Sequence, residues 1–139
     1  MRYRFMPHTG DAKFQAFGES LEEAFSNAAL ALVSLMWDWK KVQKKRKISV
    51  KIEGKDLPQL LVNFLEEVLF LFESRSFLLN AVEGMQIKQR DEGNRLTTDL
   101  RGDDYSSKYP TFGEVKAVTY HDLKIEKRQH YFIQVVVDV

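Results

Sequence analysis

From Leu79 to Val139 the apolar residues alternate with polar ones or run apolar for a few positions between turn signals, and no helical period is sustained. This feature most limits the fold, because it commits almost half of the chain to strands. Ala81 to Gln89 and Arg95 to Leu100 flank Asp91-Glu92-Gly93-Asn94, a hairpin turn signal. Arg101 to Gly113 reads as a loop rich in Gly, Asp, Ser, Tyr and Pro. Val115 to Glu126 and Tyr131 to Val139 read as another hairpin around Lys127-Arg128-Gln129.

Helices are confined to the first half. Ser20 and Glu23 match a capping box ahead of Leu21, Ala24, Phe25, Ala28, Leu32, Leu35 and Met36, which recur every three or four residues. The pattern fades near Trp37-Asp38-Trp39. Asp56 is a cap for a second helix, with Pro58 in its first turn. That helix buries Leu60, Leu61, Phe64, Leu65, Val68, Leu71 and Phe72. Asn63, Glu66, Glu67 and Ser74 lie opposite, with Phe70 among them, so Phe70 is a candidate anchor for a partner. Tyr3 to Met6, Lys13 to Phe17 and Ile48 to Ile52 read as strands, the last ended by Gly54. The order is β-β-α-β-α-β-β-β-β. It predicts a single α+β domain over residues 1–139, with two helices on a largely antiparallel sheet.

Composition excludes several functions. There is no Cys, so disulfides, thiolate chemistry and Cys-type zinc sites are out. The formal net charge is +1, which gives no global pull toward nucleic acid. No apolar run reaches the roughly 18 residues of a membrane span. The N-terminal residues lack the apolar stretch of a signal peptide, so a cytoplasmic location is expected. No GxxxxGK[ST], GxSxG or HExxH motif is present, and the three His are scattered.

Five places could carry function. His8-Thr9-Gly10-Asp11 could bind a metal or move protons, or could be an Asx-type turn between strands. Asp138-Val139 sets a side-chain carboxylate beside the α-carboxylate; such groups repel unless a cation offsets them, and hard cations such as Ca²⁺ favour oxygen donors. The alternative is a frayed terminus, although Val135, Val136 and Val137 argue for a packed strand. Glu114, Lys116, Val118 and Tyr120 would share one strand face, with His121 on the other beside Leu123 and Ile125. His121 is therefore read as a core-edge residue and His130 as turn surface. Lys40, Lys41, Lys44, Lys45, Arg46 and Lys47 form a basic run. Such runs are more often solvated connectors than phosphate-tracking surfaces. Phe70 is the fifth.

The same stretches resemble the archease family. His8-Thr9-Gly10-Asp11 is similar to its opening His-Thr-Ala-Asp motif, with Gly10 where Ala is usual. Phe17 to Phe25 resembles its turn into the first helix, and Leu60 to Phe72 its second helix, with Phe64 for a common Trp. Val115-Lys116-Ala117-Val118-Thr119-Tyr120-His121 is the most specific block, and Asp138-Val139 resembles the closing acidic-aliphatic pair. The segment 101–113 matches loosely.

The resemblance implies a non-enzymatic activator of the tRNA-splicing RNA ligase that joins 2′,3′-cyclic phosphate and 5′-hydroxyl ends. Such an activator promotes ligase guanylylation and multiple turnover. It also implies a divalent cation, Ca²⁺ or another such as Mg²⁺, on Asp11, Asp138 and a main-chain oxygen of Val139. The protein partner would be the ligase, met through residues such as His8, Glu114, Lys116 and Phe70, with RNA touched only indirectly or weakly and no membrane involved. Two other classes compete: an RNA-binding module or RNA chaperone using residues 40–47, and a metal-dependent phosphoesterase on Asp11 and Asp138. The second lacks a convincing general base.

Overall fold

The computed structural model describes residues 1–139 and is an α+β structure. Its strands are β1 (Tyr3–Met6), β2 (Ala12–Gly18), β3 (Arg46–Gly54), β4 (Phe77–Arg90), β5 (Gly93–Asp104), β6 (Ala117–Val118), β7 (Lys124–Lys127) and β8 (Tyr131–Asp138). The helices are α1 (Leu21–Ser34) and α2 (Leu57–Arg75), and Trp39–Lys41 adds one 3-10 turn. Every strand pair is antiparallel. The strands form two sheets rather than one: β1-β2-β8-β6, with β7 also on β8, and β3-β5-β4.

Both helices start the same way. A strand ends on Gly, one residue follows, and a polar cap opens the helix. Ser20 Oγ accepts the Glu23 N–H at 3.1 Å, and Asp56 accepts the Gln59 N–H at 2.8 Å. The return bond of the expected capping box goes one residue further back, from the Glu19 N–H to Glu23 Oε1 at 3.3 Å. Gly18 and Gly54 are required by packing: a Cβ there would stand 2.4 Å from the Ala24 nitrogen and 2.6 Å from the Leu60 nitrogen.

α1 packs on β2, β8 and β4, and α2 on the β3-β5-β4 sheet; Phe25 and Phe64 stack where the helices meet. One continuous core of 34 buried residues joins both helices to both sheets, so the chain is one folding unit. The expected helical faces are buried, except that Leu35 and Phe72 stay partly exposed. Met36 and Trp37 are buried just beyond α1, where Trp37 donates its indole N–H to the Leu79 carbonyl at 3.0 Å. No helix is long and apolar enough to cross a membrane.

Three expectations change. β5 runs on to Asp104, so the loop begins at Tyr105 rather than Arg101. The stretch expected as one strand from Val115 to Glu126 breaks into β6 and β7 around a turn in which Asp122 takes a left-handed φ of 52°. One strand is thereby added to the order. Because β6 is only two residues long, strand alternation does not place Glu114, Lys116 and Tyr120 on a shared face. His121 is not a core-edge residue: it sits in the turn, 68% exposed, with Nε2 3.4 Å from Asp122. His130 lies on turn surface as expected, 3.1 Å from Glu19.

The loop after β5 is fastened by a buried polar clasp. The Tyr109 hydroxyl donates to Asp103 at 2.6 Å and accepts the Gln43 N–H at 3.3 Å. That donated bond, chiefly, holds the Asp103 carboxyl below its ordinary pKa; burial and the same bond raise Tyr109. The folded state thus binds the Asp103 proton less tightly than the unfolded state does. The clasp stabilises the fold above the ordinary carboxylate pKa and loses that contribution as pH falls through the depressed folded value. Thermal midpoints between pH 7 and pH 3 should therefore drop less in Asp103→Asn than in the parent. An equal drop would show that the clasp carries no acid sensitivity.

Candidate functional site

The pairing of β2 with β8 builds the candidate site. It runs from Gly18 opposite Tyr131 to Ala12 opposite Val137. The ladder ends there, and Asp11 and Asp138 are the next residues of the two segments beyond its last pair. Ala12, Phe14 and Ala16 pair with Val137, Val135 and Ile133 on the core side, where burial of both rows makes a register slip costly. Two residues far apart in sequence thus become neighbours through a core that cannot easily slide.

Asp11 is held by its own loop. Its Oδ1 is in contact with His8 Nδ1, and its side chain is 24% exposed. Gly10 has a φ of 83°, a left-handed conformation that an L side chain adopts only with strain, so this loop uses the conformational freedom of glycine. Asp138 and Val139 are exposed at the end of β8. The Asp138 carbonyl is occupied, because it accepts the Lys116 N–H at 2.8 Å.

A strap formed by residues 115–119 lies between β8 and α2. On one side Lys116 bonds Asp138, while the Thr119 N–H and hydroxyl bond the Val136 carbonyl at 3.1 and 2.8 Å. On the other side the Val118 N–H donates to Glu66 Oε1 of α2 at 3.0 Å. Glu66, expected only as helix surface, is therefore the link between α2 and the acidic end. Lys116, Glu114 and His8 are solvent-exposed there, and Phe70, on the same outer face of α2 as Glu66, is 54% exposed with no loop covering it.

Next to this end, a chain of polar groups crosses the outer face. Arg4 donates to Gln15 at 2.7 Å, Gln15 to Gln134 at 2.9 Å, and Gln134 to the Asp122 carbonyl at 2.9 Å. Gln15 and Gln134 are buried. Gln134 has a signal in the sequence, a lone amide inside an otherwise apolar strand, whereas Gln15 sits in a strand where polar and apolar residues alternate.

The donors at the acidic end are oxygens: two carboxylates and main-chain oxygen. That set suits a hard divalent cation and not a soft one. No group of three or more His, Cys, Asp and Glu side chains is spaced to hold a metal ion. A cation here would depend on main-chain oxygen as well as on Asp11 and Asp138.

The Archease protein family model matches residues 3–139. The chain belongs to the archease family. Among its relatives, "Protein archease" of Pyrococcus abyssi is 39% identical over 127 residues, covering 91% of this chain and 89% of that one. "Protein archease" of Methanosarcina barkeri is 36% identical, with 99% and 96% covered. The solution structure of Methanobacterium thermoautotrophicum protein 1598 superimposes with a TM-score of 0.83 at 30% identity, covering 99% of each chain. The archease fold thus spans the whole chain, including both of its ends.

The double fastening of the strap has a direct test. In Glu66→Ala the Val118 amide should exchange its hydrogen at least tenfold faster, whereas Glu66→Gln, which keeps an acceptor oxygen, should stay near the parent. Unchanged exchange in Glu66→Ala would mean that α2 does not hold the strap.

Proposed function

We propose that this archease-family chain is a protein activator of the RNA ligase that joins 2′,3′-cyclic phosphate and 5′-hydroxyl ends in tRNA splicing. It would promote guanylylation of the ligase and multiple turnover, without turnover of its own, in the cytoplasm. The observation that supports the reading is the β2–β8 ladder, whose last pair, Ala12 with Val137, directly adjoins Asp11 and Asp138, on a chain whose family is archease. The lack of a phosphate-cradling loop fits a helper better than an enzyme.

Asp11, Asp138 and a main-chain oxygen of Val139 are the groups we assign to a divalent cation, Ca²⁺ first and Mg²⁺ second. When bound, the cation would offset repulsion between the carboxylates and fix their geometry. His8 orients the Asp11 carboxylate through its Oδ1 and leaves the second oxygen without a protein partner. Lys116 fixes the Asp138 main chain, so the carboxylate at the end of β8 is presented from a packed strand rather than a free tail.

The partner surface continues from this end across the strap to the outer face of α2. Phe70 offers an apolar anchor, and Glu53, Asn63, Glu66 and Glu67 make a mainly acidic rim around it, which Lys51 of β3 also borders. A ligase that handles RNA and GTP presents basic surface, which complements that rim. An activator must prefer one state of its partner, since equal affinity for all states shifts nothing.

Two measurements test the reading. Saturating Ca²⁺ should raise the thermal midpoint of the parent, with a stabilisation of about 2.7 kcal/mol at a hundredfold excess over Kd, and should leave Asp11→Asn unmoved. No gain in the parent would remove the cation from the account. With ligase in deficit over RNA, Asp138→Asn and Phe70→Ala should fold normally yet cut multiple-turnover ligation at least tenfold. A single turnover begun with guanylylated ligase should change little. Full multiple-turnover activity from both variants would contradict the proposal.

A further inference from the structure

The second sheet has one face on the core and one in solvent. Ile48, Val50 and Ile52 of β3 pair with Leu100, Thr98 and Leu96 of β5 on the core side. The outer side carries Lys47, Ser49, Lys51 and Glu53 on β3, opposite Arg101, Asp99, Thr97 and Arg95 on β5. β4 adds Ala81, Glu83, Gln86 and Lys88 in the same rows. No helix covers this face, and it bears no aromatic residue.

Its ion pairs are unevenly distributed. Every carboxylate on the face is already engaged. Asp99 accepts from the Ser49 hydroxyl at 2.6 Å, and Glu53 is 3.4 Å from Arg95. Glu83 lies 2.9 Å from Lys44 and 3.6 Å from Arg101. Lys47, Lys51 and Lys88 are exposed and are not in ion pairs, whereas Lys45 at the entry to β3 lies close enough to Asp103 for its charge to help hold that carboxyl down. Asp99 keeps its charge beside a hydroxyl, but Lys47, Lys51, Lys88, Arg95 and Arg101 outnumber Glu53, Glu83 and Asp99, so the face keeps a positive excess. Alternate residues on a strand stand roughly 6.7 Å apart, so Lys47 and Lys51 lie in one row along the β3 edge. The chain's net charge of +1 therefore conceals a division between an acidic end on the first sheet and a basic face on the second.

We infer that the outer face of the β3-β5-β4 sheet binds the phosphodiester backbone of a single-stranded nucleic acid, through Lys47, Lys51 and Lys88. Phosphates match the unpaired lysines in charge, and the open sheet gives an extended strand a path. With no aromatic platform for bases, binding is weak, insensitive to sequence and strongly salt-dependent. The basic run noted in the sequence contributes only Lys47, while Lys44 and Arg46 are held in ion pairs with Glu83 and Asp104. This inference stands apart from the activator reading, since it uses neither Asp11 nor Asp138. The rival account is that edge lysines only guard β3 and β4 against pairing with other chains.

The test is fluorescence anisotropy with labelled oligo(U) and oligo(dT) of about 15 nucleotides, a length near one binding site. Salt is varied between about 50 and 200 mM. Both oligomers should bind the parent with affinity that falls linearly in log salt. Lys47→Gln/Lys51→Gln should lower the magnitude of that slope by about 1.4, two contacts at roughly 0.7 each for a single strand. Lys124→Gln/Lys127→Gln, an equal charge change on the first sheet, should leave it unaltered. Asp138→Asn should bind like the parent, which separates this outcome from failure of the activator reading. No measurable binding by the parent, a slope unaffected by the β3 changes, or equal losses in the two lysine variants would overturn the inference and leave the lysines as edge guards.

Discussion

The pairing of β2 with β8 is the interaction on which the rest of the structure depends. It joins the first and last parts of the chain in an antiparallel ladder whose core side, Ala12, Phe14 and Ala16 against Val137, Val135 and Ile133, is almost fully buried. α1 lies on that ladder, β1 adds on one side of it, and β6 and β7 add on the other. A shift of one residue would bring Gln134 onto the core side, where Ile133 and Val135 now pack, so burial favours this register. Asp11 and Asp138 inherit their positions from that constraint. The site needs no strong interaction of its own to assemble, only the core beside it.

The second sheet answers to different forces. It packs α2 with one face and leaves the other to solvent, where side chains settle into local ion pairs and hydrogen bonds. Exposed pairs of this kind contribute little to stability, typically below about 1 kcal/mol. Their arrangement instead decides which charges remain free. The strap from Lys116 to Thr119, tied to Glu66, couples the acidic end mechanically to α2 rather than to the basic face.

Much of the fold was legible because its signals are local. The caps at Ser20 and Asp56, the apolar stripes of both helices and the turn at Asp91-Glu92 each lie within a few residues of what they determine. The division into two sheets was not legible, since alternation shows that a strand has two faces but not which strand it joins. Nor was the break between β6 and β7, which depends on Thr119 bonding Val136 and on Gln134 reaching the Asp122 carbonyl. His121 was misplaced for the same reason, because alternation was carried through a turn. Asp11 and Asp138 stood out as residues, but only the resemblance joined them, and the long-range register supplies the physical basis. Phe70 was legible from its polar neighbours at helical spacing and is exposed as read.

The central claim is that the β2–β8 pairing assembles one cation site from the two ends of the chain. Paramagnetic broadening of backbone amide signals during a Mn²⁺ titration tests it most directly, since Mn²⁺ accepts the same oxygen donors. The account predicts early, saturable broadening at Gly10 to Ala12 and at Val137 to Val139, together with Lys116 and Ala117, which border them through β6. Broadening that begins instead at Glu66, Glu67 and Glu73 on α2, or that spreads over all exposed carboxylates without saturating, would contradict it.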